Sequence, residues 1–188
     1  MSGRWSNNTQ GVGGNVAPLI LTNMKVGLAS NGNTRIAYPT HDGSGYADSF
    51  AFVPGFGANQ FCEAVIYKQA GYNPNATGSN HEVELLLGCR SASGYRIWNE
   101  FLLNASGGVE IVYLDGGASA FTSIGSPLVL ATPPNDGDVV RATKVGNTLN
   151  MYINGNLVCT YTGSMIANGS GIGVAVVGVG LLIAGVLA

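Results

Sequence analysis

Residues 138–161 read DVVRATKVGNTLNMYINGNLVCTY, and this stretch decides the fold. Short runs of β-forming residues are separated by two dipeptides, Gly146-Asn147 and Asn154-Gly155. Both dipeptides supply the positive φ angles of two-residue hairpin turns, and Asn-Gly does so most strongly. Two-residue turns fix the register, because residues that face each other share a side of the sheet. Val145 is then expected opposite Thr148, Ala142 opposite Met151, Val140 opposite Ile153, and Met151 opposite Val158.

That register sorts the meander into two faces. Val140, Ala142, Leu149, Met151, Ile153 and Val158 make a core face. Arg141, Thr143, Asn150, Tyr152, Cys159 and Tyr161 make a mixed polar and aromatic one. A sheet with one packed and one solvated face is antiparallel. The stretch predicts a β-sandwich with this meander near the centre of one sheet.

The flanking sequence carries the same pattern. Upstream, Val16–Ala29, Thr34–Tyr38, Asp48–Val53, Phe61–Lys68, His81–Cys89, Tyr95–Leu103, Val109–Leu114, Phe121–Ile124 and Leu128–Ala131 read as strands. Phe50 and Phe52 share a side, as do Glu82 and Glu84. On the 61–68 strand, Cys62, Ala64 and Ile66 face one way and Phe61, Glu63, Val65 and Tyr67 the other. Glycine-rich and Asn-rich turns such as GYNPNATGSN (71–80) separate the runs. No capped run of helical periodicity occurs. About a dozen short strands without a repeat or linker predict one all-β antiparallel sandwich or jelly roll with very little helix. Residues 1–15 are polar and glycine-rich and are expected to be a flexible arm, leaving 16–188 as a single domain of ordinary size.

Composition narrows the function. Only 10% of the 188 residues are charged and the net charge is −2, which excludes a basic nucleic-acid footprint. Cys62, Cys89 and Cys159 have no metal-ligand spacing and read as buried thiols. The two histidines, His41 and His81, do not form a metal cluster, and His41 with Asp42 reads as a loop hydrogen bond. MSGRWSNNTQGVGGN at 1–15 lacks the apolar core of a secretory signal. The expectation is a chain that is cytoplasmic before release and then borne on a virion or another extracellular assembly.

The segment Ile172–Ala188 has no polar side chain. At 17 residues it is at the short limit for a membrane helix, and its valines and glycines suit two buried strands around Val177–Gly180 better. A membrane partner is therefore not expected. A strand apolar on both faces needs a cover, and a subunit contact is the expected one. The contact candidates are Val174, Val176, Val179, Leu181, Leu182, Ile183, Val186 and Leu187.

QFCEAVIYK (60–68), HEVELLLGCR (81–90), GYRIW (94–98), DGDVVRATKVGNTLNMYINGNLV (136–158) and GSGIG (169–173) together resemble the concanavalin-A-like and laminin-G-like lectin and glucanase sandwiches. The resemblance spans roughly 48–173 and implies that fold. It also implies glycan binding on a sheet face or at loop tips, often beside calcium, and in some members glycan cleavage. Fold alone does not choose among these. Cleavage needs two carboxylates flanking the glycosidic bond. The laminarinase-type signature, an acid, a hydrophobic residue, Asp, two residues and a second acid, meets Glu82-Val83-Glu84-Leu85-Leu86-Leu87 here, with leucine in the proton donor's place. The G-x-S-x-G nucleophile motif is also absent.

Glycan contact would draw on Tyr95, Arg96, Trp98, Arg141, Asn150 and Tyr152, whose aromatic faces pack on sugar C–H groups and whose planar polar groups bond hydroxyls. No cofactor is expected. For a calcium ion the loop carboxylates would be Asp115, Asp136 and Asp138. The reading is a non-catalytic lectin-like structural or adhesion module on an assembled particle, most simply a phage decoration or tail-associated protein. Its partners would be copies of itself or a shell, and glycans besides. The alternatives are a free-standing lectin and a laminarinase-type glycoside hydrolase. Far-UV circular dichroism of the purified chain is expected to show β-sheet; a helix-dominated spectrum would contradict the pattern reading.

Overall fold

The computed structural model describes residues 20–22, 24–28, 35–39, 48–68, 82–92, 95–116, 118, 120–177 and 181–187. Side chains are described for 50–68, 82–90, 97–116, 118 and 120–176. The strands are β1 (Ile20–Thr22), β2 (Met24–Leu28), β3 (Arg35–Pro39), β4 (Asp48–Val53), β5 (Gln60–Lys68), β6 (Glu82–Ala92), β7 (Tyr95–Asn104) and β8 (Gly108–Asp115). They continue with β9 (Ala120–Ser123), β10 (Leu128–Val129), β11 (Val139–Val145), β12 (Thr148–Ile153), β13 (Asn156–Thr162), β14 (Gly171–Val177) and β15 (Leu181–Leu187). The predicted arm at 1–15, the loop at 71–80, His41, Asp42, His81 and Val179 lie outside the described residues.

Two antiparallel sheets carry all of it. The first runs β1-β4-β14-β6-β7-β8, with β9 and β10 both laid along β8; the second runs β13-β12-β11-β5-β15-β3-β2. No helix occurs among the described residues, and none there is long and apolar enough to cross a membrane. The molecule is thus the all-β antiparallel sandwich that the alternating pattern predicts.

The core lies between the sheets. Val83, Leu85, Leu87, Phe101, Leu103, Ile111, Ile172, Val174 and Val176 come from the first sheet, and Cys62, Ala64, Ile66, Val140, Ala142, Leu149, Met151 and Ile153 from the second. Burial at about 25 cal/mol per Å² of apolar surface makes this layer the main stabilising contribution. Polar clasps close its ends. Gln60 is buried; its Oε1 accepts from Gly88 N at 2.7 Å, and its Nε2 donates to Gly57 O and Gly169 O at 2.9 and 3.0 Å. The buried Asn99 Oδ1 accepts from Ala167 N at 2.8 Å.

The meander keeps its first hairpin as expected: Val145 faces Thr148, Ala142 faces Met151, and Val140 faces Ile153. Three corrections follow from the rest. First, the meander forms one side of the second sheet, with β13 at the edge, because β11 continues the sheet by pairing with β5. Second, the β12–β13 register shifts between Met151 and Tyr152, so Met151 faces Cys159 and not Val158. A bulge places two residues opposite one and flips everything beyond it to the other face. Cys159 is therefore buried, and Tyr161 packs on the core from its rim.

The third correction concerns the apolar end. β14 is inserted between β4 and β6 in the first sheet, and β15 between β5 and β3 in the second. Val174 and Val176 are 0% exposed and belong to the chain's own core. The cover that the sequence assigned to a subunit contact comes, for these two, from within the chain. Leu181, Leu182, Ile183, Val186 and Leu187 lie on β15, where backbone pairing alone is described.

Close packing around β14 leaves no room at Gly173. A Cβ there would stand 2.2 Å from Ala51 O and 2.5 Å from Phe52 Cβ. Gly57 is the natural control, since a Cβ there would meet only Asn59 O at 4.0 Å. Gly173→Ala is expected to cost about 1–3 kcal/mol through overpacking, lowering Tm by roughly 2–4 °C per kcal/mol for a chain of this size. Gly57→Ala should stay within about 0.5 kcal/mol. Equal Tm values for both variants would show that β14 is not packed against β4.

Candidate functional site

The two sheets turn different outer faces to the surroundings. On the first sheet, Phe50, Phe52, Leu86, Cys89, Trp98, Leu114 and Ala175 form a second buried apolar cluster. Alternation drives this: residues between the core-facing positions of β4, β14, β6, β7 and β8 point to the opposite side. Trp98 is 2% exposed, its ring centroid lies 5.1 Å from that of Phe50, and its Nε1 donates to Glu100 Oε1 at 2.6 Å. A side chain so enclosed is not a platform for sugar, which corrects the expectation for Trp98. Glu82, Glu84 and Glu100 lie on this same face and are also buried. Tyr95 and Arg96 open β7, with backbone alone described there.

Across β13, β12, β11 and β5 the outward side chains of the second sheet are half-buried or exposed, and this face brings the other three candidates together. Arg141 faces Tyr152 across β11–β12 and Glu63 across β11–β5. Thr143 faces Asn150 on one side and Phe61 on the other, and Asn150 faces Thr160. Two adjacent rows result. One reads Leu157, Tyr152, Arg141, Glu63; the next reads Thr160, Asn150, Thr143, Phe61. Strands lie about 4.8 Å apart, so each row spans roughly 14 Å. Phe61 is 38% exposed and Leu157 56%, so apolar surface is offered beside polar groups.

Local contacts orient these side chains. The Arg141 guanidinium carbon sits 4.9 Å from the centroid of the Phe61 ring, and Arg141 Nε lies 3.8 Å from Glu63 Oε2. An exposed ion pair contributes only about 0–1 kcal/mol, and a cation over a ring at an exposed site about 0.5–1 kcal/mol. These contacts aim the guanidinium more than they stabilise the fold. Thr160 Oγ1 donates to Asn150 Oδ1 at 2.7 Å, which leaves the Asn150 amide NH₂ pointing its donors elsewhere. The sequence pointed to Arg141, Asn150 and Tyr152. It missed Phe61, Glu63 and Thr160 as their neighbours, although the alternation of β5 had already placed Phe61 and Glu63 on one side.

The carboxylates named for calcium have other duties. Asp138 Oδ2 accepts from Asn135 N at 2.7 Å, and its Oδ1 accepts from Asn154 Nδ2 at 2.9 Å. Asn154, at φ 50°, in turn accepts at Oδ1 from Val139 N at 2.9 Å. The Asn-Gly turn and the loop entering the meander are thus tied together. Asp136 Oδ1 accepts from Lys68 N at 2.6 Å, and Asp115 caps a turn on the other sheet by accepting from Ala118 N at 3.3 Å. Among the described residues no group of three His, Cys, Asp or Glu is placed to hold a metal ion. Asp115, at the end of β8 in the first sheet, and Asp136 and Asp138, beside β5 and β11 of the second, are thus engaged in separate places.

Comparison with known proteins bears on the fold. No family model matches the sequence, and no curated protein matches it. Solved structures do. A carbohydrate-binding module, CBM66 from Bacillus subtilis, superposes with a TM-score of 0.65 at 15% identity, over 92% of this chain and 95% of that one. The fold is the concanavalin-A-like β-sandwich, or jelly roll. Others of this shape include the Emp46p carbohydrate recognition domain in its metal-free form (TM-score 0.54, 12% identity, 89% of this chain and 86% of that). A glycoside hydrolase family 16 endo-glucanase from Bacteroides ovatus has it too (TM-score 0.51, 11% identity, 88% and 85%). Within this concanavalin-A-like sandwich, the sequence expectation for the fold holds across both sheets.

The three thiols are buried. Burial, with the Glu63 carboxylate a lesser cause, pushes the Cys62 thiol up from 9.0 to about 12. Burial likewise raises Cys89 and, to a lesser degree, Cys159. A thiol whose folded pKa is raised keeps its proton where the unfolded chain loses it, so its contribution is intact below about pH 9 and is lost as pH rises toward 12. Ellman's reagent at pH 8 is expected to find no reactive thiol in the native protein and all three after denaturation. Rapid native labelling would contradict the burial.

Proposed function

We propose that this chain is a non-catalytic glycan-recognising module that binds through the outer face of its second sheet. The observation that carries the reading is the convergence of Arg141, Asn150 and Tyr152 on adjacent positions of an open face. Flanking them are the exposed ring of Phe61 and the hydroxyls of Thr143 and Thr160. Aromatic faces beside fixed planar donors and acceptors are what sugar rings, apolar on their C–H faces and polar at their rims, require. The shared fold with a carbohydrate-binding module and a carbohydrate recognition domain supports the reading.

The non-catalytic part rests on the first sheet. Hydrolysis asks for two carboxylates that reach the scissile bond. Glu82, Glu84 and Glu100 are 9%, 3% and 2% exposed, and Leu87 stands where the resemblance asks for an acid. Display on an assembled particle, beside copies of itself or a shell, is supported by the sparse charge of 10%. It draws no support from Val174 and Val176, which the chain covers itself.

A glycan array probed with the whole chain is expected to show binding that falls roughly tenfold or more in Tyr152→Ala and in Arg141→Ala, the scale of a lost charge-assisted hydrogen bond or ring contact. Trp98→Phe, on the other sheet, should leave binding in place. Binding unaffected by the first two changes, or no glycan retained at all, would contradict the proposal.

A further inference from the structure

Resting on that reading, the charge of the ligand follows from the surroundings of Arg141. We propose that the outer face of the second sheet takes neutral glycans, with the Arg141–Glu63 pair reading neighbouring hydroxyls of one sugar, and rejects sugars that carry a carboxylate.

A site for an acidic sugar needs a cation whose charge is not already answered, best presented as a two-pronged guanidinium. Here the cation is answered. Glu63 is the direct cross-strand neighbour of Arg141, and the 3.8 Å from Nε to Oε2 is too long for a hydrogen bond yet close enough to balance the charge. The remaining described side chains on this face of β5, β11 and β12 are Phe61, Val65, Tyr67, Val139, Thr143, Val145, Thr148, Asn150 and Tyr152, none of them charged. Lys144, next along β11, is turned to the core side, where its Nζ donates to Ala58 O at 2.6 Å. An incoming carboxylate would meet Glu63 as soon as it reached Arg141.

A diol fits the same pair without conflict. A hydroxyl both donates and accepts, so one hydroxyl accepts from the guanidinium while its neighbour donates to the Glu63 carboxylate. The long Nε–Oε2 gap leaves both partners with hydrogen-bonding capacity for that exchange, and the half-exposed Arg141 side chain, at 46%, gives access. The Asn150 amide adds donors one row away, its Oδ1 being held by Thr160. Phe61 lies under the guanidinium, its ring centroid 4.9 Å from the guanidinium carbon.

The test uses matched pairs of immobilised oligosaccharides, each a neutral glycan beside its uronic-acid or sialylated counterpart, probed with the full chain and with Glu63→Gln. Thermal melts of both proteins confirm that each is folded. Neutral members are expected to be retained roughly tenfold or more over their acidic counterparts, and Glu63→Gln to lose a similar factor on the neutral members while gaining on the acidic ones. Equal or stronger retention of the acidic members overturns this inference and leaves glycan recognition standing. Neutral binding that is unchanged in Glu63→Gln also overturns it. Failure to retain any glycan overturns the reading on which it rests.

Discussion

The structure depends on one constraint: both sheets need the apolar strands at the end of the chain to be continuous. β14 joins β4 to β6, and β15 joins β5 to β3. Remove β14 and the first sheet separates into a short β1–β4 ribbon and the β6–β8 block. The inserted strand brings Ile172, Val174 and Val176 to the core and Gly173 and Ala175 to the other side, where Gly173 lets Phe52 come close. Composition follows from position. A strand with neighbours on both edges and packed layers above and below has no use for charge, so the apolar composition of β14 follows from its place in the first sheet.

That arrangement also separates an enclosed outer face from an accessible one. On the first sheet, Phe50, Phe52 and Trp98 pack with Leu86, Leu114 and Ala175 into a closed cluster, and the glutamates of β6 and β7 are enclosed with them. On the second, the meander projects its polar alternate outward, and β5 supplies Phe61 and Glu63 beside it. Enclosed side chains and accessible polar ones thus lie on opposite sides of the sandwich. Asn154 and Asp138 hold the turn and the entering loop in register, which fixes where Arg141 and Tyr152 stand.

Much of this was legible because it is local. The Gly146-Asn147 turn sets the pairs from Val140–Ile153 to Val145–Thr148, and turn chemistry alone specifies them. Alternation on β5 separated Cys62, Ala64 and Ile66 from Phe61 and Glu63 correctly. What failed was non-local or hidden by composition. Leu157, Val158 and Cys159 are all apolar, so either register buries an apolar residue, and the bulge beside Met151 leaves no mark in the sequence. The pairing of Glu63 with Arg141 joins strands far apart in the chain, and nothing around either residue announces it. Trp98 read as a sugar platform because a tryptophan suits a binding face as well as a core; only the packing of Phe50 and Phe52 against it decides.

The central claim is that β14 lies inside the fold, hydrogen-bonded on both edges. Native-state hydrogen exchange tests it most directly. The account predicts that the amides of Ile172–Val176 exchange only through global unfolding, with protection equal to that of Leu85 and Phe101. Exchange of those amides at the rate of a fraying terminus, while Leu85 and Phe101 stay protected, would contradict it.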